Sequence, residues 1–323
     1  MNTTLRRTPS IFRLLASLLV IGLLLGACTP EATNSPGSTE STGESVPNTS
    51  STTIKVGSKD FTEEFIVAEM YAHLLEHAGF TVERKLNLGG TPIAHAALVQ
   101  GDIDLYPEYT STGLLTVLKQ QQMQGATEIY NTVKEGYEQQ FQVTWLDPSP
   151  FNNTQALAMT RANAEQFGIS TYSDLAQAAP ELILGGPAEF LEREDGIKGL
   201  QGAYGGFQFK ETRQLGTGSL RYQALQDGQV DVVVAFGTDG QIDGMDLALI
   251  EDDQGFYPVY NIAPVVRMDT LQNNPEIADA LNRLAPLLTD QVMSGLNWQV
   301  DGPDKREPAD VARDFLTQNG LLE

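Results

Sequence analysis

Two histidines and a glutamate stand at His73-Leu-Leu-Glu76-His77, the H-x-x-E-H spacing with which one helix face presents two imidazoles to zinc. A metal centre needs further ligands, and the only other histidine is His95. The surrounding helix also reads as a surface amphipath, which leaves such residues in solvent. Asp239-Gly-Gln-Ile-Asp243-Gly244 has the outline of a calcium loop. Gln241 is its third residue and Ile250 its twelfth, where a bidentate glutamate is required. A third group, Asp104-Leu-Tyr106-Pro-Glu108-Tyr109-Thr-Ser-Thr112, sets rings, carboxylates and hydroxyls at the end of a predicted strand. Ring faces there suit a cation, and cleft carboxylates such as Glu108 or Asp239 suit an enzyme's acid–base chemistry. No G-x-S-x-G, phosphate-binding lysine loop or dinucleotide fingerprint occurs, so nucleophilic hydrolysis and nucleotide use lack sequence support.

Composition narrows the field. The 323 residues carry 42 acidic and 20 basic side chains, a net charge of −22, which argues against nucleic acid as a partner. One cysteine, Cys28, excludes an intrachain disulfide framework and a thiolate zinc site. No metal and no other cofactor is expected.

The N-terminal segment reads as an address. Arg6, Arg7 and Arg13 precede the apolar run Leu14 to Ala27, which is too short to span a bilayer and ends in small residues, as secretory signals do. Leu25-Gly-Ala-Cys28 resembles the lipobox of bacterial lipoproteins, in which cleavage leaves an acylated cysteine. Residues 1–27 are therefore expected to be a signal peptide, with Cys28 the lipidation site. Residues 28–52, rich in Ser, Thr, Pro and Gly and without aromatics, are expected to be a flexible stalk. The implied location is extracytoplasmic, lipid-anchored to a bacterial membrane, in a periplasm or at a cell surface.

The folded part must position the candidate residues. Thr53-Ile-Lys-Val-Gly57 alternates as a strand, and Asp60 with Glu63 forms a capping-box pattern for a helix from Phe61 to about Ala78. A strand over 80–86, a helix over 93–100 and a strand at 103–106 follow, the alternation of an α/β fold with a largely parallel sheet. Ala97-Leu-Val-Gln-Gly101-Asp-Ile-Asp104-Leu105 then repeats as Ala224-Leu-Gln-Asp-Gly228-Gln-Val-Asp231-Val232, 127 residues later without a gap. Two similar α/β lobes explain the repeat. The same register sets Tyr109 opposite Phe236, both just past the carboxyl end of a strand, where open α/β sheets bind ligands. The chain is expected to cross between lobes near Asn153–Met159 and again near Tyr260–Val266. That gives lobe 1 over 53–158, lobe 2 over 159–261 and a return to lobe 1 over 262–323.

Several runs resemble one family: Gly57-Ser-Lys-Asp-Phe-Thr-Glu-Glu64, Leu88-Gly-Gly-Thr-Pro-Ile-Ala-His95, Gly101-Asp-Ile-Asp-Leu-Tyr-Pro-Glu-Tyr-Thr110, Phe151-Asn-Asn-Thr154 and Glu189-Phe-Leu-Glu-Arg-Glu-Asp195. It is the substrate-binding proteins of osmoprotectant ABC importers, and the likeness covers nearly all of residues 53–323. The resemblance implies a two-lobed type II periplasmic-binding-protein fold with a double-crossover hinge. It also implies a non-catalytic protein that captures glycine betaine, choline, carnitine or a related quaternary amine in a box of rings. Delivery would be to a membrane permease with a separate ATPase, and a monomer is expected.

Carried over by position, the resemblance puts Tyr109 in the box, with Thr112 one step on. It gives Gln155, after Phe151-Asn152-Asn153-Thr154, where the family often has Tyr. Phe236 stands where Tyr is common and is followed by Thr238 and Asp239, and Glu64 stands where Gln is frequent. Tyr260 is the candidate fourth wall, with Tyr257 the alternative. Loss of a ring at Gln155 opens the box, so a larger betaine such as ergothioneine is the alternative ligand. For a carboxylate, the helix N-terminus at Asp60 with Lys59 is the candidate partner.

Overall fold

Residues 52–323 are described in the computed structural model; the expected signal peptide, Cys28 and nearly all of the expected stalk lie outside the described residues. Ten strands follow in chain order: β1 Thr53–Gly57, β2 Thr81–Lys85, β3 Leu105–Tyr109, β4 Val143–Trp145, β5 Gln155–Thr160, β6 Ile183–Gly186, β7 Glu211–Gln214, β8 Val232–Phe236, β9 Leu247–Leu249 and β10 Ile262–Arg267. They form two five-stranded sheets of matching plan, β2-β1-β3-β10-β4 and β7-β6-β8-β5-β9. Four strands in each run one way and the fourth in order, β10 or β5, runs against its neighbours. The sheets are therefore mixed, and the reversed strand in each is the one that arrives after a crossing between them.

The crossing carries a correction of position. The sequence boundary at 158–159 falls inside β5, whose Gln155 to Ala158 already pair with β8. The apolar run Ala156–Met159 is fully buried on both faces, so it serves as sheet core and not as linker. The connection itself precedes it, and it is bonded to the returning segment: Asn153 N–H donates to Tyr260 O (3.1 Å) and Asn261 Nδ2 to Phe151 O (2.9 Å).

The 127-residue repeat is structural. Its two helices, α2 (Thr91–Gln100) and Leu220–Gln226, are followed by Gly101 (φ 80°) and Gly228 (φ 66°), left-handed positions that glycine takes without strain. The aspartates do one job twice. Asp104 Oδ2 accepts from Lys55 N–H and Asp231 Oδ2 from Ile183 N–H, both at 2.8 Å, tying each loop to the second strand of its own sheet, β1 or β6.

Helix α1, Thr62–His77, departs from expectation. It is buried nearly all round rather than amphipathic, because β1 and β3 lie on one side of it and the helices Asp290–Asp301 and Pro308–Gln318 on the other. Nor does the Asp60–Glu63 capping box form: the N-cap is Phe61, with no side-chain bond to the helix start. Burial of the first turn redirects Glu63 to other partners. Among the described residues no helix is long and apolar enough to cross a membrane.

Candidate functional site

Strands β3 and β8 end on Tyr109 and Phe236, in the same register of the repeat, so each ring leaves its sheet at the edge facing the other lobe. A cavity of about 350 Å³ opens there. Of the site residues anticipated from sequence, Lys59, Asp60, Tyr109, Thr112, Asn153, Gln155, Phe236 and Tyr260 line it, whereas Glu64, Thr238 and Asp239 do not. Tyr257, the alternative wall, packs instead against Tyr172 and Phe256.

One ring was missed. Phe61 lies nearly parallel to both Tyr109 (centroids 6.2 Å, 23°) and Phe236 (6.5 Å, 10°), bringing rings from both lobes around it. It was read only as a helix start, since nothing local distinguishes a capping aromatic from a wall.

Protein cations already sit against three of these rings, Lys59 over Phe61 (5.8 Å) as well as the two that follow. Lys59 Nζ lies 4.6 Å from the Tyr109 centroid and the Arg221 guanidinium carbon 5.4 Å from that of Phe236. Burial works against the Lys59 charge, but Glu108 (2.6 Å) and Glu64 (3.5 Å) hold its pKa above the ordinary lysine value. That engagement weakens the case for Lys59 as a free carboxylate partner. Glu64 itself is pushed up to about 8, by burial first, with the Lys59 charge opposing and Glu108 adding to the rise. Its Oε1 has no hydrogen-bond partner.

Asp239 is spent on structure. Its Oδ2 accepts from Phe236 N–H (2.9 Å), Tyr222 Oη and Arg221 Nη2, so the calcium-loop pattern resolves into a turn that holds the end of β8. Glu108 is equally occupied, by Lys59, Tyr106 Oη (2.9 Å) and Tyr109 N–H (2.7 Å). Neither carboxylate lines the cavity. At the zinc-like motif, His73 Nδ1 lies 3.2 Å from Glu76 Oε2, and Arg84 bonds both Glu76 and Glu69. Among the described residues no group of three or more His, Cys, Asp or Glu is arranged to hold a metal ion.

A second missed residue is Arg193, within the quoted run Glu189–Asp195 but given no role. It lines the cavity and bonds Asp195 through Nε (2.7 Å) and Nη2, which leaves its Nη1 unengaged among the described residues. Burial opposes its charge, and the Asp195 carboxylate holds its pKa above the usual arginine value. Asp195 also accepts from Gln155 Nε2 (2.9 Å) and from Tyr260 Oη. Gln155 is therefore pinned at the cavity wall, and its amide is not idle.

Two lobes of matching plan, rings at their facing edges and an arginine in the same cavity agree with what the chain is similar to. Residues 52–318 match the model described as the substrate-binding domain of ABC-type glycine betaine transport systems. The ergothioneine transport permease/ergothioneine binding protein EgtU of Helicobacter pylori is 36% identical over 267 residues, 82% of this chain but 47% of that protein, so the chain spans about half of that relative. The carnitine transport binding protein OpuCC of Listeria monocytogenes is 34% identical, covering 84% of this chain and 88% of its own. A crystal structure described as a glycine betaine/carnitine/choline ABC transporter superposes with a TM-score of 0.68 at 30% identity, over 84% of this chain and all of that one. With the family model spanning almost all of the described residues, the chain belongs to the substrate-binding domains of ABC-type glycine betaine transport systems.

Proposed function

We propose that the protein captures a small quaternary amine that also bears a carboxylate, a betaine, and hands it unchanged to an ABC permease. The observation that carries this reading is the pairing, in one cavity, of a ring cluster from both lobes with the unengaged edge of Arg193. A quaternary nitrogen has no proton to donate, so ring faces are its natural partners in a desolvated site. A guanidinium edge matches a carboxylate in geometry as well as charge. Glycine betaine and carnitine combine the two groups; choline lacks the second. The cavity is roomy for glycine betaine alone, and the Gln155 wall leaves space for a longer betaine, which favours ergothioneine as the second reading.

Calorimetry with glycine betaine, carnitine, proline betaine, choline and ergothioneine tests the ligand class. Betaines should bind, choline more weakly, and each ligand should be recovered unchanged. Binding of choline as tightly as every betaine would remove the role of Arg193, and turnover of any ligand would make the protein an enzyme. We further propose a lipid anchor at Cys28, supported by Leu25-Gly-Ala-Cys28 at the end of a short apolar run. Cys28→Ser should abolish incorporation of labelled fatty acid; persistent labelling would disprove the anchor. The permease and its separate ATPase remain the partners this reading calls for, since no nucleotide loop occurs in the chain.

A further inference from the structure

Five carboxylates are buried among the described residues: Glu63, Glu64, Glu69, Glu108 and Asp195. Four have a cation within reach, Lys59 for Glu64 and Glu108, Arg84 for Glu69 and Arg193 for Asp195. Glu63 has none. Its Oε1 accepts from Tyr109 Oη and Asn153 Nδ2, both at 2.7 Å, and its Oε2 from Thr238 Oγ1 (2.5 Å) and Asn297 Nδ2 (2.9 Å). Four neutral donors fill all four lone-pair positions of a carboxylate. Such a cradle orients and solvates a negative charge but does not cancel it.

The donors also place that charge. Tyr109 carries it to the cavity, because a phenol that donates to a carboxylate gains electron density, and the negative potential of its ring face deepens. We infer that Glu63 is the counter-charge of the ligand's quaternary nitrogen, a positioning residue that acts through Tyr109 and sets the preference for a cation over a neutral group of the same shape. The inference rests on the quaternary-amine reading above and assigns a role to a residue that does not itself line the cavity.

Other charges lie nearby, and two carboxylates, Asp60 and Glu189, line the cavity themselves, so the variants below are read against that background. Lys59 and Glu64 on the same segment and Glu108 on β3 form their own cluster, and Asp239 of the second sheet is bound by Arg221. Asp301, on the helix Asp290–Asp301, accepts from Thr62 Oγ1 (2.8 Å) and Gln241 Nε2 (3.0 Å). Burial raises the pKa of Glu63, the bonds from Thr238, Tyr109 and Asn297 oppose the rise, and the Asp239 charge adds to it. A competing role is purely mechanical, since Thr238 lies just past β8 of one sheet and Tyr109 ends β3 of the other, so Glu63 also straps the lobes together.

Matched ligand pairs separate these roles. Glycine betaine and 3,3-dimethylbutanoate share shape and carboxylate, with carbon replacing nitrogen in the second; choline and 3,3-dimethylbutanol make the corresponding pair. Affinities are measured by calorimetry, with competition for the weak neutral ligands, on wild type, Glu63→Gln and Tyr109→Phe. Asn153 and Asn297 each keep an unpartnered Oδ1, so rotation of either amide lets the cradle accept a glutamine. Glu63→Gln should weaken cation binding about tenfold while leaving the neutral twin within about twofold, as removal of a charge several ångströms away predicts. Tyr109→Phe, which keeps the ring and cuts the link, should shrink the cation-to-neutral ratio about threefold. Equal losses for cation and neutral twin, or no loss, in either variant would overturn the inference and leave Glu63 a strap. If Glu63→Gln does not fold, Tyr109→Phe decides alone. Wild type that binds neither cation better than its twin sinks the quaternary-amine reading, and this inference with it.

Discussion

Tyr109 and Phe236 occupy one register of a repeated helix–turn–strand unit, yet the chemistry behind them is opposite in kind. At the Phe236 end the buried Arg221 is matched by Asp239, with Tyr222 as a further donor. At the Tyr109 end the cation Lys59 is matched by Glu108 and Glu64, and a further carboxylate, Glu63, is left to neutral donors. The repeat thus reproduces a scaffold, down to the aspartate that ties each loop to its sheet, without reproducing an electrostatic role. Backbone geometry follows from local sequence, so it repeats where the sequence does. Charge balance is assembled from segments far apart in the chain and is free to differ.

Tyr109→Ala should break this comparison most sharply. It removes a desolvated ring face worth about 2 kcal/mol and a donor to Glu63 worth about 1 kcal/mol, so betaine binding should weaken roughly a hundredfold. Phe236→Ala removes a ring that has no hydroxyl to donate to a carboxylate and should cost about thirtyfold. Equal losses in the two variants, measured by calorimetry, would mean the ends are equivalent after all.

Arg193→Met probes the cavity wall beside Asp195. One charge-assisted contact of about 2 kcal/mol predicts a roughly thirtyfold loss for glycine betaine, with choline changed by less than about threefold. Parallel losses would place the carboxylate elsewhere and return Lys59 to consideration.

Glu64→Gln sharpens the electrostatic half of the contrast. A carboxyl raised from 4.5 to about 8 in the folded protein favours folding while protonated, and that stabilisation is lost as pH rises from about 4.5 through about 8. The variant should therefore melt close to wild type near pH 5 and a few degrees above it near pH 9, by the usual relation between stability and Tm. A variant less stable than wild type at both values would show that the 3.5 Å contact with Lys59 outweighs burial. The smallest effect belongs to Phe236→Tyr, which keeps the ring face and should leave affinity within about threefold.

Much of the scaffold was legible because it is local. Strand alternation at Thr53–Gly57, glycine caps at Gly101 and Gly228, and the 127-residue match all depend on neighbours within a turn or two. The cavity was partly legible for the same reason, since strand ends announce themselves and Tyr109 and Phe236 stand on them. Phe61 and Arg193 were missed because each owes its place to a segment distant in sequence: Phe61 to β8 across the cleft, Arg193 to the Gln155–Tyr260 crossing.

Glu63 marks the division most clearly. Taken alone, Asp60 and Glu63 at capping-box spacing account for themselves, and local physics offers no reason to look further. In the folded protein, packing on both sides of α1 buries its first turn, and donors at positions 109, 153, 238 and 297 converge on the carboxylate. The sequence by itself determined the elements, the repeat and the rings at the strand ends, through short-range periodicity and turn chemistry. Which charges are paired and which one is left waiting was decided by the tertiary structure alone, because desolvation and convergence exist only once distant segments have packed.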